Sequence, residues 1–234
     1  MELKKYCIIG LGHFGMNLAI MLSEAGAEVI AIDNHQDLID NVSDKVTFAA
    51  RMDATDEKAL RSLGLEEMDA VVVAIGEGFE ASILITALLQ EIGVKKIYNR
   101  IISHVHERLL KLMGIEDMLV PEKEAAEQLA RRLMIPGLVE SFALSSKFGI
   151  FEIKAPGKFT GKKLIDLQLR EKYGMNLVTI SRKISKSGML SLGQKEEMKI
   201  IGVPKPDTEI QEEDILVLFG EENKVKELLK EQGK

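Results

Sequence analysis

Three glycines, Gly10, Gly12 and Gly15, follow an apolar run, Lys4 to Ile9, and lead straight into a segment of helical spacing. In that segment Phe14, Leu18, Met21, Leu22 and Ala25 recur at the interval of an amphipathic helix, and Gly26 ends it. A G-x-G-x-x-G pattern placed between a buried strand and a helix is compatible with few folds. The first glycine permits a tight turn, the second lets a diphosphate approach the backbone, and the third lets the helix lie close on the sheet. The helix that begins at Phe14 offers unpaired N–H groups and a positive partial charge to an anion.

The pattern then repeats in coarse form. Strands are expected at Ala27 to Ile32 (ending at Asp33), Val46 to Ala50, Asp69 to Ile75, Lys96 to Ile101 and Met118 to Val120. Helices are expected at His35 to Val42, from a cap at Thr55 through Leu63, and at Phe79 to Ile92, His104 to Met113 and Glu122 to Met134. Six rounds of strand and helix at short spacing define an α/β fold of Rossmann type, a doubly wound parallel sheet with helices on both faces. The Pro136-Gly137 pair breaks this rhythm. Beyond it, strands at Gly149 to Lys154, Asn176 to Ser181, Lys199 to Val203 and Ile215 to Phe219 share the chain with helices at Gly161 to Leu169 and Glu222 to Leu229. This predicts a small C-terminal α+β domain. The expected division is 1–138 and 139–234, with the boundary near 136–146.

Bulk properties exclude several classes. A net charge of −6 argues against a nonspecific nucleic-acid binder, which needs clustered Lys and Arg. The single cysteine, Cys7, lies in an apolar run and reads as a small core residue. No Cys/His group has zinc spacing. The apolar runs, such as Ala70 to Ile75, fall far short of the ~20 residues of a membrane span, and the first residues lack the pattern of a signal peptide. A cytoplasmic chain is expected, with no direct membrane insertion; any action at a membrane calls for another subunit to span it.

Asp33 stands 18 residues beyond Gly15, at the end of the second strand. An acid there accepts hydrogen bonds from ribose hydroxyls and disfavours a 2′-phosphate; the plain alternative is a cap for the next helix. Two further strand ends, Asp53-Ala54-Thr55 and Ala74-Ile75-Gly76-Glu77, face the same crevice by topology. Asp53 is placed to accept from an adenine amino group, or to cap a helix, for which Thr55 is the better residue. Glu77 lies in a glycine-flanked turn and is either at the site or simply solvated. His13, His35, His104 and His106 are scattered, and no nucleophile setting or G-x-x-x-x-G-K-[ST] loop is present in the sequence. A nucleotide-switched regulator is therefore the first reading, and a nicotinamide-dependent oxidoreductase is the alternative that the same glycine fingerprint permits.

The stretches CIIGLGHFG, AIDN at 31–34, DATDEKALRSLGL at 53–65, VVVAIGE at 71–77 and LVPEKEAAEQLARRL at 119–133 resemble the cytoplasmic regulators of potassium conductance, the RCK or TrkA/KtrA type. The segments at 161–182 and 204–220 resemble the small TrkA-C domain of that family. The resemblance implies a gating subunit that forms homodimers and octameric rings beneath a potassium-transporting membrane subunit of KtrB or TrkH type. It would be peripheral to the inner face of the cell membrane through that partner. It implies ATP or ADP in each crevice, ATP favouring the active ring and ADP the inactive one, with NAD(H) in some members. Carried across, Gly10, Gly12 and Gly15, with His13 and Phe14, form the phosphate turn. Asp33, with Asn34 beside it, holds the ribose, and Asp53 and Ala54 meet the adenine. Ala74, Ile75, Gly76 and Glu77 line the same crevice. Arg100 matches a basic position that reaches phosphate from the dimer partner, and Glu122 an acid for a divalent cation, Mg or Ca. The family pattern has arginine where this chain has His13, which carries less charge and no fork of donors, so AMP and NAD(H) stay among the implied ligands. In some relatives the tail domain takes cyclic di-AMP, and Asp166, Arg170 and Asn176 fall in the corresponding stretch.

Overall fold

The computed structural model describes residues 3–186 and 195–230. By internal packing the chain divides into two units, residues 1–123 and 124–234. The outermost ends of the two expected domains, residues 1 and 234, lie outside the described residues.

The first unit runs β1 (Lys5–Ile9), α1 (His13–Glu24), β2 (Glu28–Asp33), α2 (Gln36–Val42), β3 (Phe48–Arg51), α3 (Glu57–Arg61), β4 (Ala70–Val73), α4 (Phe79–Ile92), β5 (Ile97–Arg100), α5 (His104–Leu112) and β6 (Met118–Leu119). Helix α6 (Pro121–Met134) then carries the chain across the division between the units. All six strands pair in parallel in the order β3-β2-β1-β4-β5-β6. Alternate residues of each strand feed two separate apolar layers. Cys7, Ile9, Val71 and Val73 pack on one side of the sheet, and Ile8, Val29, Ala31 and Val72 on the other. Cys7 is fully buried, and burial pushes its thiol pKa well above the ordinary value, so it is a core residue.

The chain leaves β1 toward β2 and β3 and returns on its other side through β4. The connections after β1 and β4 therefore diverge to opposite faces and part at the carboxyl ends of these two strands, opening a crevice there. The expected cap at Thr55 is corrected by the structure. Asp56 caps α3, its carboxylate accepting from the N–H groups of Lys58 and Ala59. The helix ends at Arg61, short of the expected Leu63, with Ser62 as its cap, and Gly64, in a left-handed conformation with φ of 63°, opens a single turn of 3₁₀ helix, Leu65–Glu67.

The second unit contains β7 (Leu138–Ala143), β8 (Phe148–Lys154), α7 (Leu164–Leu167), α8 (Leu169–Tyr173), β9 (Asn176–Lys186), β10 (Lys195–Ile200), β11 (Ile215–Glu221) and α9 (Glu222–Lys230). The strands form an antiparallel sheet, β10-β9-β11-β8-β7. Strand β7 is not anticipated by the sequence. The helix expected over 161–169 is two short helices, broken where Gln168 adopts φ of 47°. Phe151, Ile153, Ile180, Leu216 and Leu218 form the core with Val225, Leu228 and Leu229 of α9. One ion pair ties this unit together. Arg182 donates through Nε at 2.7 Å and Nη2 at 2.6 Å to the fully buried carboxylate of Asp214, which also accepts from the Gln211 N–H at 2.8 Å.

Two predictions follow from these cores. Arg182→Met leaves a buried carboxylate without its cation and should cost about 3 kcal/mol, read by urea unfolding of the second unit; a loss under 1 kcal/mol would assign the pair no structural role. In the first unit His106 is fully buried, and its Nδ1 accepts from the Ile102 N–H at 3.2 Å. Burial holds its pKa below the usual value, so the folded protein refuses a proton that the unfolded chain accepts near pH ~6.5. Stability of this unit should be fully present above that pH and fall as pH drops below it. His106→Phe should flatten that slope, and a slope identical to wild type would remove His106 as its source.

Candidate functional site

The crevice at the carboxyl ends of β1, β2 and β4 encloses about 290 Å³. Its lining includes ten of the expected residues: Gly10, Gly12, Asp33, Asn34, Asp53, Ala54, Ala74, Ile75, Gly76 and Glu77. His13, Phe14, Gly15, Arg100 and Glu122 lie outside that lining.

The three glycines serve different ends. Gly10 turns with φ of 94°, and a Cβ there would stand 3.0 Å from the Ile75 side chain and 3.1 Å from its backbone nitrogen. Gly15 lies against the carbonyl of Gly10, and any side chain would run into that oxygen, so this glycine sets how closely α1 approaches β1. At Gly12 a Cβ would meet nothing within 4 Å. Its lack of a side chain serves no packing need and leaves open the space in front of α1.

That helix begins bare. No side chain caps Gly12, and no acidic residue stands in the first turn of α1. The first intrahelical bond is Met16 N–H to the Gly12 carbonyl at 2.9 Å, so the amides before it have no partner in the helix itself. With the helix dipole behind them they form an anion-binding end that opens at the crevice.

Asp33 faces this end from β2, its side chain only 10% exposed. Its Oδ2 accepts from the Leu11 N–H at 2.7 Å, and its Oδ1 accepts from the His35 N–H at 2.9 Å and meets His35 Nδ1 at 2.9 Å. Burial alone would raise its pKa, but these hydrogen bonds together outweigh burial and hold the carboxyl below the usual range. Asp53 is exposed, and its Oδ1 accepts from both the hydroxyl (2.7 Å) and the N–H (2.9 Å) of Thr55. The hydroxyl bond first, then the amide, lowers its pKa as well. Both acids are ionised at neutral pH. Apolar surface from Ile9, Ile32, Ala74 and Ile75 lies between and beside them. The arrangement suits an elongated ligand with an anionic end, a hydroxyl-bearing middle and a flat, weakly polar remainder.

Sequence reasoning misses part of this lining. His35, Leu38, Met52, Ala81 and Ile85 contribute as well. Ala81 and Ile85 are one turn apart on α4, so placing that helix beside the crevice would have found them. His35 follows Asp33 by two residues, and its role depends on the bend that returns its ring to that carboxylate.

Arg100 and Glu122, expected to act on phosphate and metal, pair with each other. Arg100 ends β5, and its guanidinium lies over Gly76, with Nη1 2.6 Å from where a Cβ of that residue would be. No group of three or more metal-ligating side chains occurs among the described residues. In the second unit Arg170 Nε donates to Asn176 Oδ1, while Asp166 is exposed on α7. No helix among the described residues is long and apolar enough to cross a membrane.

Comparison with known proteins places the two units. Residues 6–121 match the TrkA-N domain and residues 149–233 the TrkA-C domain. The chain is 35% identical over 217 residues to the Ktr system potassium uptake protein C of Bacillus subtilis (strain 168), covering 93% of this chain and 92% of that one. It is 31% identical over 223 residues to the Ktr system potassium uptake protein A of the same organism, covering 95% and 94%. Among solved structures, the GsuK RCK domain shares the fold with a TM-score of 0.63 at 16% identity, covering all of this chain and 48% of that one. Two domain matches in tandem, and relatives aligned almost end to end, make the chain a member of the Ktr and TrkA family of potassium uptake proteins.

Proposed function

We propose that the protein is the cytoplasmic regulatory subunit of a potassium uptake system and that it switches a potassium-transporting membrane partner by binding a nucleotide in the crevice of its first unit. The observation that carries the reading is the bare N-terminus of α1 behind Gly12, with the ionised Asp33 held beside it. A diphosphate docks on the free amides, Asp33 accepts from the ribose, and the base lies toward Asp53 and Ala54. ATP and ADP are the first candidates. NAD(H) and AMP remain alternatives because His13 lacks the charge and donor fork of an arginine. A solved channel sharing the fold, GsuK at a TM-score of 0.59 and 17% identity, is described as bound to NAD. Regulation requires that the ligand bind two states of the assembly with different affinity, since equal affinity shifts nothing. A homodimer within a ring, with a divalent cation at Glu122, completes the proposal.

A thermal-shift panel of ATP, ADP, AMP, NAD and NADH, with and without Mg²⁺ or Ca²⁺, tests it directly. At least one ligand should raise the melting temperature; a flat panel would overturn the reading. Asp33→Asn keeps an acceptor for the Leu11 amide but loses the charge, and Asp33→Ala loses both. Either should weaken binding about tenfold or more by calorimetry, and unchanged affinity would remove the ribose assignment. Gly12→Val should abolish binding while leaving the melting temperature near wild type, because its side chain meets only the open crevice. A normal titration by this variant would count against the whole site.

A further inference from the structure

Asp33 already carries three donors. An ionised carboxylate only accepts, through about four lone-pair positions. The Leu11 N–H takes one on Oδ2 at 2.7 Å, and on Oδ1 the His35 N–H and His35 Nδ1 each stand at 2.9 Å. Because the carboxylate cannot donate, Nδ1 of that ring carries the proton. About one acceptor position is left. A ribose presents two neighbouring hydroxyls, and gripping both calls for two positions. The amide donors are held by the backbone around them. The His35 carbonyl accepts from the Ile39 N–H at 3.4 Å as α2 begins, and the Asn34 carbonyl accepts from Arg51 Nε at 3.1 Å. The imidazole is the partner that can leave. It lines the crevice, and its side chain is 73% exposed beside the 10% of Asp33.

We infer that His35 sets how strictly the crevice selects ribose over deoxyribose, because its ring holds the acceptor position on Asp33 that a second sugar hydroxyl needs. The inference rests on the crevice being a nucleotide site with the sugar at Asp33. A deoxy sugar offers a single ring hydroxyl and fits the remaining position with the imidazole in place. A ribose gains its second bond only as the imidazole turns out to solvent, so one hydrogen bond to Asp33 replaces another. An exposed pair of this kind is weak. The ring therefore yields, but the net gain from the second hydroxyl is cut. Selection of the sugar thus depends on a side chain two residues past the acid that binds it, as well as on the acid.

The test compares sugars rather than phosphates. Calorimetry on wild type identifies which of ATP, ADP and AMP binds most tightly, and that nucleotide is then titrated beside its 2′-deoxy and 3′-deoxy forms. The same three ligands are titrated against His35→Ala and His35→Phe, with thermal melts confirming that each variant folds. His35→Ala frees the occupied position, and the ratio of ribose to deoxyribose affinity should rise about fivefold, the scale of an exposed ion pair. Both deoxy forms should report the same rise, because each lacks one hydroxyl of the pair. His35→Phe keeps a ring but has no donor, and should raise the ratio as His35→Ala does. An unchanged ratio in His35→Ala, a rise against one deoxy form alone, or a wild-type ratio in His35→Phe would overturn the inference while leaving nucleotide binding intact. Failure of wild type to bind any of ATP, ADP and AMP would remove the inference together with the adenosine-phosphate reading beneath it.

Discussion

The structure of the crevice depends on two successive amides. The Gly10 N–H donates to the Ile32 carbonyl at 2.8 Å, and the Leu11 N–H donates at 2.7 Å to the side chain of Asp33. The first bond extends the parallel ladder between β1 and β2 by one rung. The second binds the following amide to a carboxylate as the chain turns out of the sheet. A side chain at that place ends the ladder and fixes where the chain leaves the sheet. The amides that follow then have no sheet partner and remain available at the start of α1. The Asp33 charge is tolerated at 10% exposure because it accepts from Leu11 and His35.

This arrangement divides the crevice electrically. Its floor near Gly12 is positive through backbone amides alone, while Asp33 and Asp53 place negative charge along the opposite strand ends. The positive end does not depend on a side chain, so it cannot be lost by titration or rotamer change. Beside Gly76, Arg100 is paired with Glu122, so the charges there sit on side chains.

Much of this is written in local sequence. G-x-G-x-x-G, the apolar run before it and Asp33 at the right interval fix the strand–turn–helix unit, because each element follows from short-range sterics and periodicity. Helix Phe79–Ile92 is found to the residue because two glycines, Gly78 and Gly93, bound it in left-handed conformations. Thr55 misleads because Thr and Asp are both good caps, and only the three-dimensional turn made by Asp53 commits the Thr55 hydroxyl elsewhere. Strand β7 escapes because Leu138–Ala143 has no clean alternation, its last two residues being exposed. The Arg100–Glu122 pair joins residues 22 positions apart, and nothing in either local pattern announces it.

The strand order also dictates when the crevice can come into being during synthesis. β1 is made first but lies at the centre of the sheet, between β2 and a partner that begins at Ala70. Until that distant segment has left the ribosome, the opening strand has one neighbour, and its other edge is bare. The second unit is assembled differently, with its pairs β7–β8 and β9–β10 adjacent along the chain. Contacts between distant segments must meet the entropy of loop closure before they are rewarded, so they form late. The ligand-facing turn thus matures only with the insertion of β4, and a half-emerged polypeptide has no crevice with which to sequester the cell's nucleotides.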